Sequence, residues 1–206
     1  MQKVKVPVEE AKSSLIVKGS KFIGSLFPVK SKEEAESILE KVRKKYYDAT
    51  HNCFAYRIYP DIERFSDDGE PSGSAGKPIL TVIKGENLFN VLIVITRYFG
   101  GTKLGVGGLV KAYGECAKEA VLNAKTVYLE HIKTIKLTVN FNRVNIVYHL
   151  AKREGIKIAK EEYSNDGVCF TIRLKADMLE EIKRDLQEKL SKIPDIEETE
   201  EKLDTL

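Results

Sequence analysis

The stretch Arg97-Tyr98-Phe99-Gly100-Gly101-Thr102-Lys103-Leu104-Gly105-Val106-Gly107-Gly108-Leu109 sets five glycines between two regular elements, and the fold is read outward from it. Before it, Asn90-Val91-Leu92-Ile93-Val94-Ile95-Thr96 is an apolar, β-branched run that predicts a buried strand. After it, the residues from Leu109 to Val121 predict a helix, and glycine is kept between two such elements where the backbone needs φ > 0 or close approach. A helix N-terminus behind such a loop presents N–H groups to an anion. The competing reading is a tight strand-to-helix turn that serves packing alone. Common nucleotide fingerprints do not fit. A P-loop needs Lys and then Ser or Thr after Gly105, where Val106 and Gly107 stand. The dinucleotide pattern begun at Gly105 needs glycine where Val110 stands.

A second dense motif lies upstream, Phe65-Ser66-Asp67-Asp68-Gly69-Glu70-Pro71-Ser72-Gly73-Ser74-Ala75-Gly76-Lys77-Pro78. Three carboxylates within four residues suit Mg²⁺ binding or acid–base chemistry. The same composition is also turn chemistry, with exposed acids paired to Arg and Lys. A nucleophile elbow centred on Ser74 is excluded, because Ser72 stands where glycine is required.

With Thr50-His51-Asn52-Cys53-Phe54-Ala55-Tyr56 ahead of them, these motifs resemble the YigZ/IMPACT family of uncharacterised or translation-associated proteins. The matching residues are His51, Cys53, Ala55 and Tyr56; Asp67 to Pro71 with Gly73, Ala75, Gly76 and Pro78; and Arg97 to Gly101, Lys103 to Gly105, Gly107 to Leu109, Ala112 and Tyr113. The resemblance covers residues 1–130 well. It implies an N-terminal domain like the second domain of ribosomal protein S5 and a C-terminal domain like the ferredoxin-like modules of the large elongation factor. Both of those relatives handle RNA or the ribosome, and the eukaryotic members suggest a module that regulates a protein kinase or chaperone.

Composition sets consistent bounds. The chain of 206 residues, 42% hydrophobic and 32% charged, is long enough for one or two compact units and too apolar for a disordered tail. No apolar run is long enough to span a membrane, and Met1 to Pro7 lacks the apolar core of a secretion signal, so a cytoplasmic location is expected. Cys53, Cys116 and Cys169 form no C-x-x-C and read as reduced thiols, and His51, His131 and His149 lack zinc-ligand spacing. No metal or cofactor is expected. Cys53 and His51, two apart on a predicted strand, share a face and form a candidate catalytic pair or are merely neighbours.

The pattern along the chain predicts a hairpin of strands 12–18 and 21–29, a helix from the Ser31 cap to about Tyr47, a strand over 51–59, the acidic loop over 66–78, a strand over 90–98 and a helix over 107–125. Ile79 to Ile83 is ambiguous: its β-branched residues favour a strand, and the family resemblance a short helix. From Ile132 the pattern restarts as strand 133–141, helix 143–153, strand 156–163, a turn at Asn165-Asp166-Gly167, strand 168–175, helix 177–191 and strand 195–202. That order is the ferredoxin-like unit. The expected fold is therefore α+β in two domains, 1–130 and 131–206. With no long linker between them, the two are expected to pack together.

Charge is mild, +3 overall, with +4 in residues 1–130 and −1 in residues 131–206. The Lys41 to Lys45 cluster is a basic patch or a helix end with cations near its negative pole. The segment Asp195 to Leu206 carries six acids and one lysine, so a strand there would shield a basic sheet face. The functional expectation is a translation-associated binding protein. Arg97, Lys103, Lys77, Tyr98 and the loop glycines Gly100, Gly101, Gly105, Gly107 and Gly108 would meet phosphate or carboxylate. His51, Asp67, Asp68, Glu70 and Ser74 would support them, the acids as internal partners of the cations. The alternative is a small hydrolase or phosphate-handling enzyme with its site between the 67–78 and 97–108 loops.

Overall fold

The structure is a computed structural model that describes residues 3–190 and 196–205. The chain divides into two units, one spanning Val4–Val127 and the other formed by Tyr128 onward with Lys3. The fold class is the one the sequence predicts, α+β in two units.

In the first unit, β1 (Val4–Pro7) precedes a hairpin of β2 (Ala11–Val17) and β3 (Ser20–Pro28), then α1 (Lys32–Lys45), β4 (His51–Ile58) and β5 (Ile62–Ser66). α2 (Gly76–Gly85), β6 (Val91–Tyr98) and α3 (Gly105–Leu122) complete it. The sheet order is β2-β3-β6-β4-β5, with the strands paired antiparallel. β6 lies at its centre, which is why Val91 to Ile95 are apolar without alternation: both of its faces are covered. On one face Leu92, Val94, Phe54 and Tyr56 pack against Ala35, Leu39 and Val42 of α1. On the other, Ile93, Ile95, Cys53 and Phe22 pack against Ile79 and Ile83 of α2 and Ala112, Tyr113 and Cys116 of α3.

Local chemistry fixes the helix ends. Ser31 Oγ caps α1 by accepting from the Glu34 N–H at 3.2 Å, and the Glu34 carboxylate accepts from the Lys30 N–H at 2.7 Å. The ambiguous Ile79–Ile83 run is helical: Ile79, Leu80 and Ile83 lie on the buried face of α2, and burial against the sheet outweighs the β-branched preference. β5 was not expected as a strand. Ile62 to Phe65 are exposed at the sheet edge, so no alternation marks them, and their pairing with Ala55 to Ile58 of β4 is what orders them. α3 starts two residues earlier than its pattern suggests, at Gly105, whose φ of +73° suits glycine.

The second unit runs β7 (Thr126–Val139, its first two residues in the first unit), α4 (Val144–Glu154), β8 (Lys157–Ser164), β9 (Gly167–Lys175), α5 (Leu179–Leu190) and β10 (Ile196–Asp204). Its antiparallel order β10-β7-β9-β8 is that of a ferredoxin-like sheet. Ile135, Leu137, Phe170 and Ile172 of the sheet pack against Val147 and Leu150 of α4 and Ile182 and Leu186 of α5. Residues 191 and 195, at the ends of the expected helix and strand, lie outside the described residues, as do Met1 and Gln2. The acids of β10 meet cations: Glu198 pairs with Lys133 at 2.9 Å and Lys183 at 2.8 Å, Glu197 with Lys136 at 3.5 Å, Glu201 with Lys133 at 3.6 Å and Asp204 with Arg173 at 2.6 Å. Among the described residues, no helix is long and apolar enough to cross a membrane.

Candidate functional site

The two loop motifs meet in the first unit around Arg97, the next-to-last residue of β6. Its side chain is buried, 7% exposed, and lies between the fully buried Phe22 and the half-exposed Phe99, with both ring centroids 5.5 Å from the guanidinium carbon. Nη1 donates to Glu70 Oε1 at 2.6 Å and Nη2 to Ser20 Oγ at 3.3 Å, while Nε has no partner. Glu70 Oε1 also accepts from the Tyr113 hydroxyl of α3 at 2.7 Å. A buried ion pair of this kind depends on the hydrogen bonds around it, since either charge alone would be costly to keep out of water. The acidic loop thus delivers one carboxylate to the glycine-loop arginine, and α3 locks the pair through a tyrosine.

The three acids of that loop have three different tasks. Asp67 organises the backbone, accepting from the N–H groups of Gly73, Ala75 and Gly76 at 2.8, 2.9 and 2.8 Å and so positioning the start of α2. Asp68 accepts from the Asn52 N–H at 2.7 Å and pairs with Arg43 of α1 at 3.1 Å. Only Glu70 holds a cation of the glycine loop, whereas all three were expected to hold such cations. The acids are therefore separated by function, and among the described residues no three His, Cys, Asp or Glu side chains form a group that could hold a metal ion.

His51 and Cys53 do share a face of β4, and both rest on the acidic loop. His51 Nδ1 lies 2.7 Å from the Asp68 carbonyl, which can only accept, so Nδ1 carries the hydrogen. Nε2 is then turned toward Glu70 Oε2 at 3.9 Å, beyond hydrogen-bond reach. The Cys53 thiol is within reach of the Asp67 carbonyl at 3.0 Å and the Tyr113 oxygen at 3.3 Å. Burial pushes that thiol up to about 12, against an opposing contribution from its hydrogen bond with Tyr113. It stays protonated at neutral pH, the opposite of an activated nucleophile. Burial, followed by the neighbouring Cys53, raises the Tyr113 phenol well above its usual range as well.

Above the ion pair lies a cleft of about 380 Å³ lined by Thr50, His51, Glu70, Pro71, Arg97, Phe99, Lys103, Leu104, Gly105, Val106 and Leu109. Its mouth includes the N-terminus of α3. Leu104 at the cap position offers no side-chain acceptor, and the first turn contains no acid, so no side chain of this turn offsets the positive end of the helix. Of the residues singled out from sequence, His51, Glu70, Arg97, Lys103 and Gly105 line the cleft. Gly107 and Gly108 follow in the first turn of α3, and a Cβ on Gly107 would meet nothing within 4 Å. Gly101 is exposed beside them. Gly100 serves packing: a Cβ there would lie 1.9 Å from the Gly19 carbonyl carbon of the β2–β3 turn. Tyr98 points elsewhere and donates to Asp48 at 2.9 Å. Lys77 is exposed on the first turn of α2, outside the lining, and Ser74 is buried with its hydroxyl unpartnered. Sequence reasoning did not select Thr50, Phe99, Leu104, Val106, Leu109 and Tyr113. The signal available for two of them was an apolar residue, Phe99 or Val106, set among loop glycines.

The profile of the Impact N-terminal domain matches residues 18–121, the segment that carries every cleft residue. The chain is 42% identical over 159 residues to an IMPACT family member from Thermus thermophilus, covering 77% of this chain and 86% of that protein. It is 35% identical over 164 residues to the IMPACT family member YvyE of Bacillus subtilis, covering 79% and 75%. A crystal structure titled as that of a hypothetical protein superposes with a TM-score of 0.65 at 29% identity, covering 97% of this chain and 98% of the other. The likeness thus extends over both units and includes the glycine loop, the acidic loop and the strand between them, and the chain belongs to the IMPACT family.

Proposed function

We propose that this IMPACT-family chain is a translation-associated regulator that acts by binding, and that the cleft beside α3 receives an oxyanion of its partner, an RNA phosphate or a carboxylate on the ribosome or a translation factor. The observation that carries the binding half is the uncapped, acid-free N-terminus of α3 opening next to a buried guanidinium that still lacks one acceptor. Helix N–H groups and Lys103 converge there, and an anion is the ligand that such a set stabilises. The translation half rests on the family, whose members resemble proteins that handle RNA or the ribosome. An enzyme reading draws on the same cleft, as a small hydrolase or phosphate-handling activity. Its candidate groups are already engaged: Glu70 by Arg97 and Tyr113, His51 Nδ1 by the Asp68 carbonyl, and Cys53 as a buried thiol.

Co-sedimentation with ribosomes and subunits across a salt series tests the proposal, with Lys103→Glu as the variant. Reversing Arg97 instead would strand Glu70 and confound folding with binding. The wild type is expected to bind at low salt and to be released as salt rises, with Lys103→Glu weaker at every salt concentration. Absence of low-salt binding by folded protein, or identical curves for the two, would overturn it.

A further inference from the structure

We infer that the cleft selects a carboxylate joined to an apolar group, rather than a phosphate; the inference rests on the binding reading above and names its ligand class. Charge is the first argument. Arg97 and Glu70 offset each other at 2.6 Å, so the formal charge left in the lining is that of Lys103 alone when His51 is neutral. One ammonium and the partial charge of a helix terminus match a monoanion. A phosphate monoester carries close to two negative charges at neutral pH, and a polyanion requires a run of cations that the lining does not hold.

The walls are the second argument. Phe99, Leu104, Val106 and Leu109 face the same cavity, with Phe99 47% and Val106 57% exposed although both are large and apolar. A sugar or a nucleobase edge placed against aliphatic side chains would lose hydrogen bonds to water without replacing them. An aliphatic or single-ring group placed there would cover exposed apolar surface. The volume of about 380 Å³ falls at the lower end of the roughly 300–1,000 Å³ typical of small-ligand sites.

The floor of the cleft adds an unsatisfied donor. Arg97 is more than nine-tenths buried, lines the cavity and keeps an unpaired Nε–H, an arrangement that costs free energy unless an acceptor arrives. Phe99 is the exposed one of the two rings flanking that guanidinium, so it is the one a ligand in the cleft meets. In the proposed complex the carboxylate accepts from the first-turn N–H groups of α3 and from Lys103, with the apolar group against Val106 and Leu109.

The same chemistry occurs in a free branched-chain acid and at the C-terminus of a polypeptide. The full chain, labelled with ¹⁵N, is titrated with N-acetyl-leucine, N-acetyl-leucinamide, 4-methylpentanoate and phenyl phosphate while the Gly105, Val106 and Gly107 amides are followed by NMR. N-acetyl-leucine is expected to shift them saturably, and the amide to bind about tenfold more weakly or worse, the scale of one lost charge-assisted hydrogen bond. Val106→Asp, which places a carboxylate on the same helix turn, should abolish the shifts, and Val106→Asn, which removes the same apolar contact without adding a charge, should weaken binding but leave it saturable. Tighter binding of N-acetyl-leucine than of 4-methylpentanoate supports a polypeptide terminus, and equal binding supports a free acid. Tighter binding of phenyl phosphate overturns the selectivity while leaving the anion reading in place. Shifts equal for the acid and its amide overturn the carboxylate itself. If no probe moves these amides although Lys103→Glu still impairs ribosome binding, this inference fails alone; if neither effect appears, the binding reading fails with it.

Discussion

The two units of this chain treat charge in opposite ways. In the first, Arg97 and Glu70 are sealed from water, with side chains 7% and 3% exposed, and the pair is tied to Tyr113 and Ser20. In the second, the acids of β10 pair with cations that keep contact with solvent, Glu198 with the half-buried Lys133 and Lys183 and Glu197 with the exposed Lys136. Buried pairs are costly to break because the survivor is left desolvated; surface pairs are screened and individually weak. A protein that needed only stability could do without the first arrangement, since well-packed apolar residues would serve as well. On the binding reading proposed above, its position under an open cleft, beside an uncapped helix, gives the buried pair a functional reason. The β10 pairs have the character of an acidic strand neutralising a basic sheet, as the sequence of that segment suggests.

The largest expected effect comes from breaking the buried pair. Glu70→Ala should cost the first unit about 3–5 kcal/mol in urea unfolding, because Arg97 is left buried without its carboxylate. Glu70→Gln should cost less, since an amide oxygen still accepts from Arg97 and Tyr113. Equal, small losses for both would mean that the pair is better hydrated than its burial implies.

A smaller effect separates the units by pH at the alkaline end. The Cys53 thiol is raised from 9 to about 12 by burial, so the folded first unit holds a proton that the unfolded chain releases. Its contribution is complete below pH 9 and is lost as pH rises from 9 toward 12. Amide hydrogen exchange should show protection in Val4–Val127 eroding across that window, and native Cys53 should resist thiol reagents at pH 8 while the half-buried Cys169 reacts. Fast labelling of Cys53 in the folded protein would contradict the buried-thiol account.

The smallest effect belongs to the ion pairs of β10. Hydrogen bonds from Lys183 and then Lys133 hold Glu198 down to about 2 from 4.5, against a small opposing effect of desolvation. Its stabilisation is present above pH 4.5 and lost as pH falls from 4.5 to 2. The side chain is exposed, so Glu198→Gln should leave the urea midpoint at neutral pH and physiological salt within experimental error and flatten the acid dependence of the second unit. A large neutral-pH loss would place this pair in the same class as Arg97–Glu70 and erase the contrast.

Much of the fold is legible in the sequence wherever one face of an element is apolar and the other is not. Ser31 and the spacing of Ala35, Leu39 and Val42 mark α1, and the βαββαβ order marks the second unit. Legibility fails where burial is one-sided for other reasons. The Ile79 to Ile83 run is rich in β-branched residues yet helical because Ile79, Leu80 and Ile83 pack against the sheet and α3, and β5 is exposed on a sheet edge and has no pattern at all. At the site, the glycines and Arg97 are visible because they are chemically unusual. Tyr113 is not, since a tyrosine at helical spacing reads as core and only the fold brings its hydroxyl to Glu70. The division of labour among Asp67, Asp68 and Glu70 is equally invisible, as three neighbouring carboxylates look alike until the backbone turns each toward a different donor.

The central claim, that the N-terminus of α3 is held open for a partner's oxyanion, is tested most directly by ribosome co-sedimentation of Val106→Asp beside Val106→Asn at low salt. Val106 is exposed, so the fold should be intact in both variants, and slightly more stable in Val106→Asp, whose acid in the first turn favours the helix. Val106→Asp should lose binding, because its own carboxylate occupies the helix terminus, while Val106→Asn, which gives up the same apolar contact without adding a charge, should keep most of it. Wild-type binding by Val106→Asp would contradict the claim.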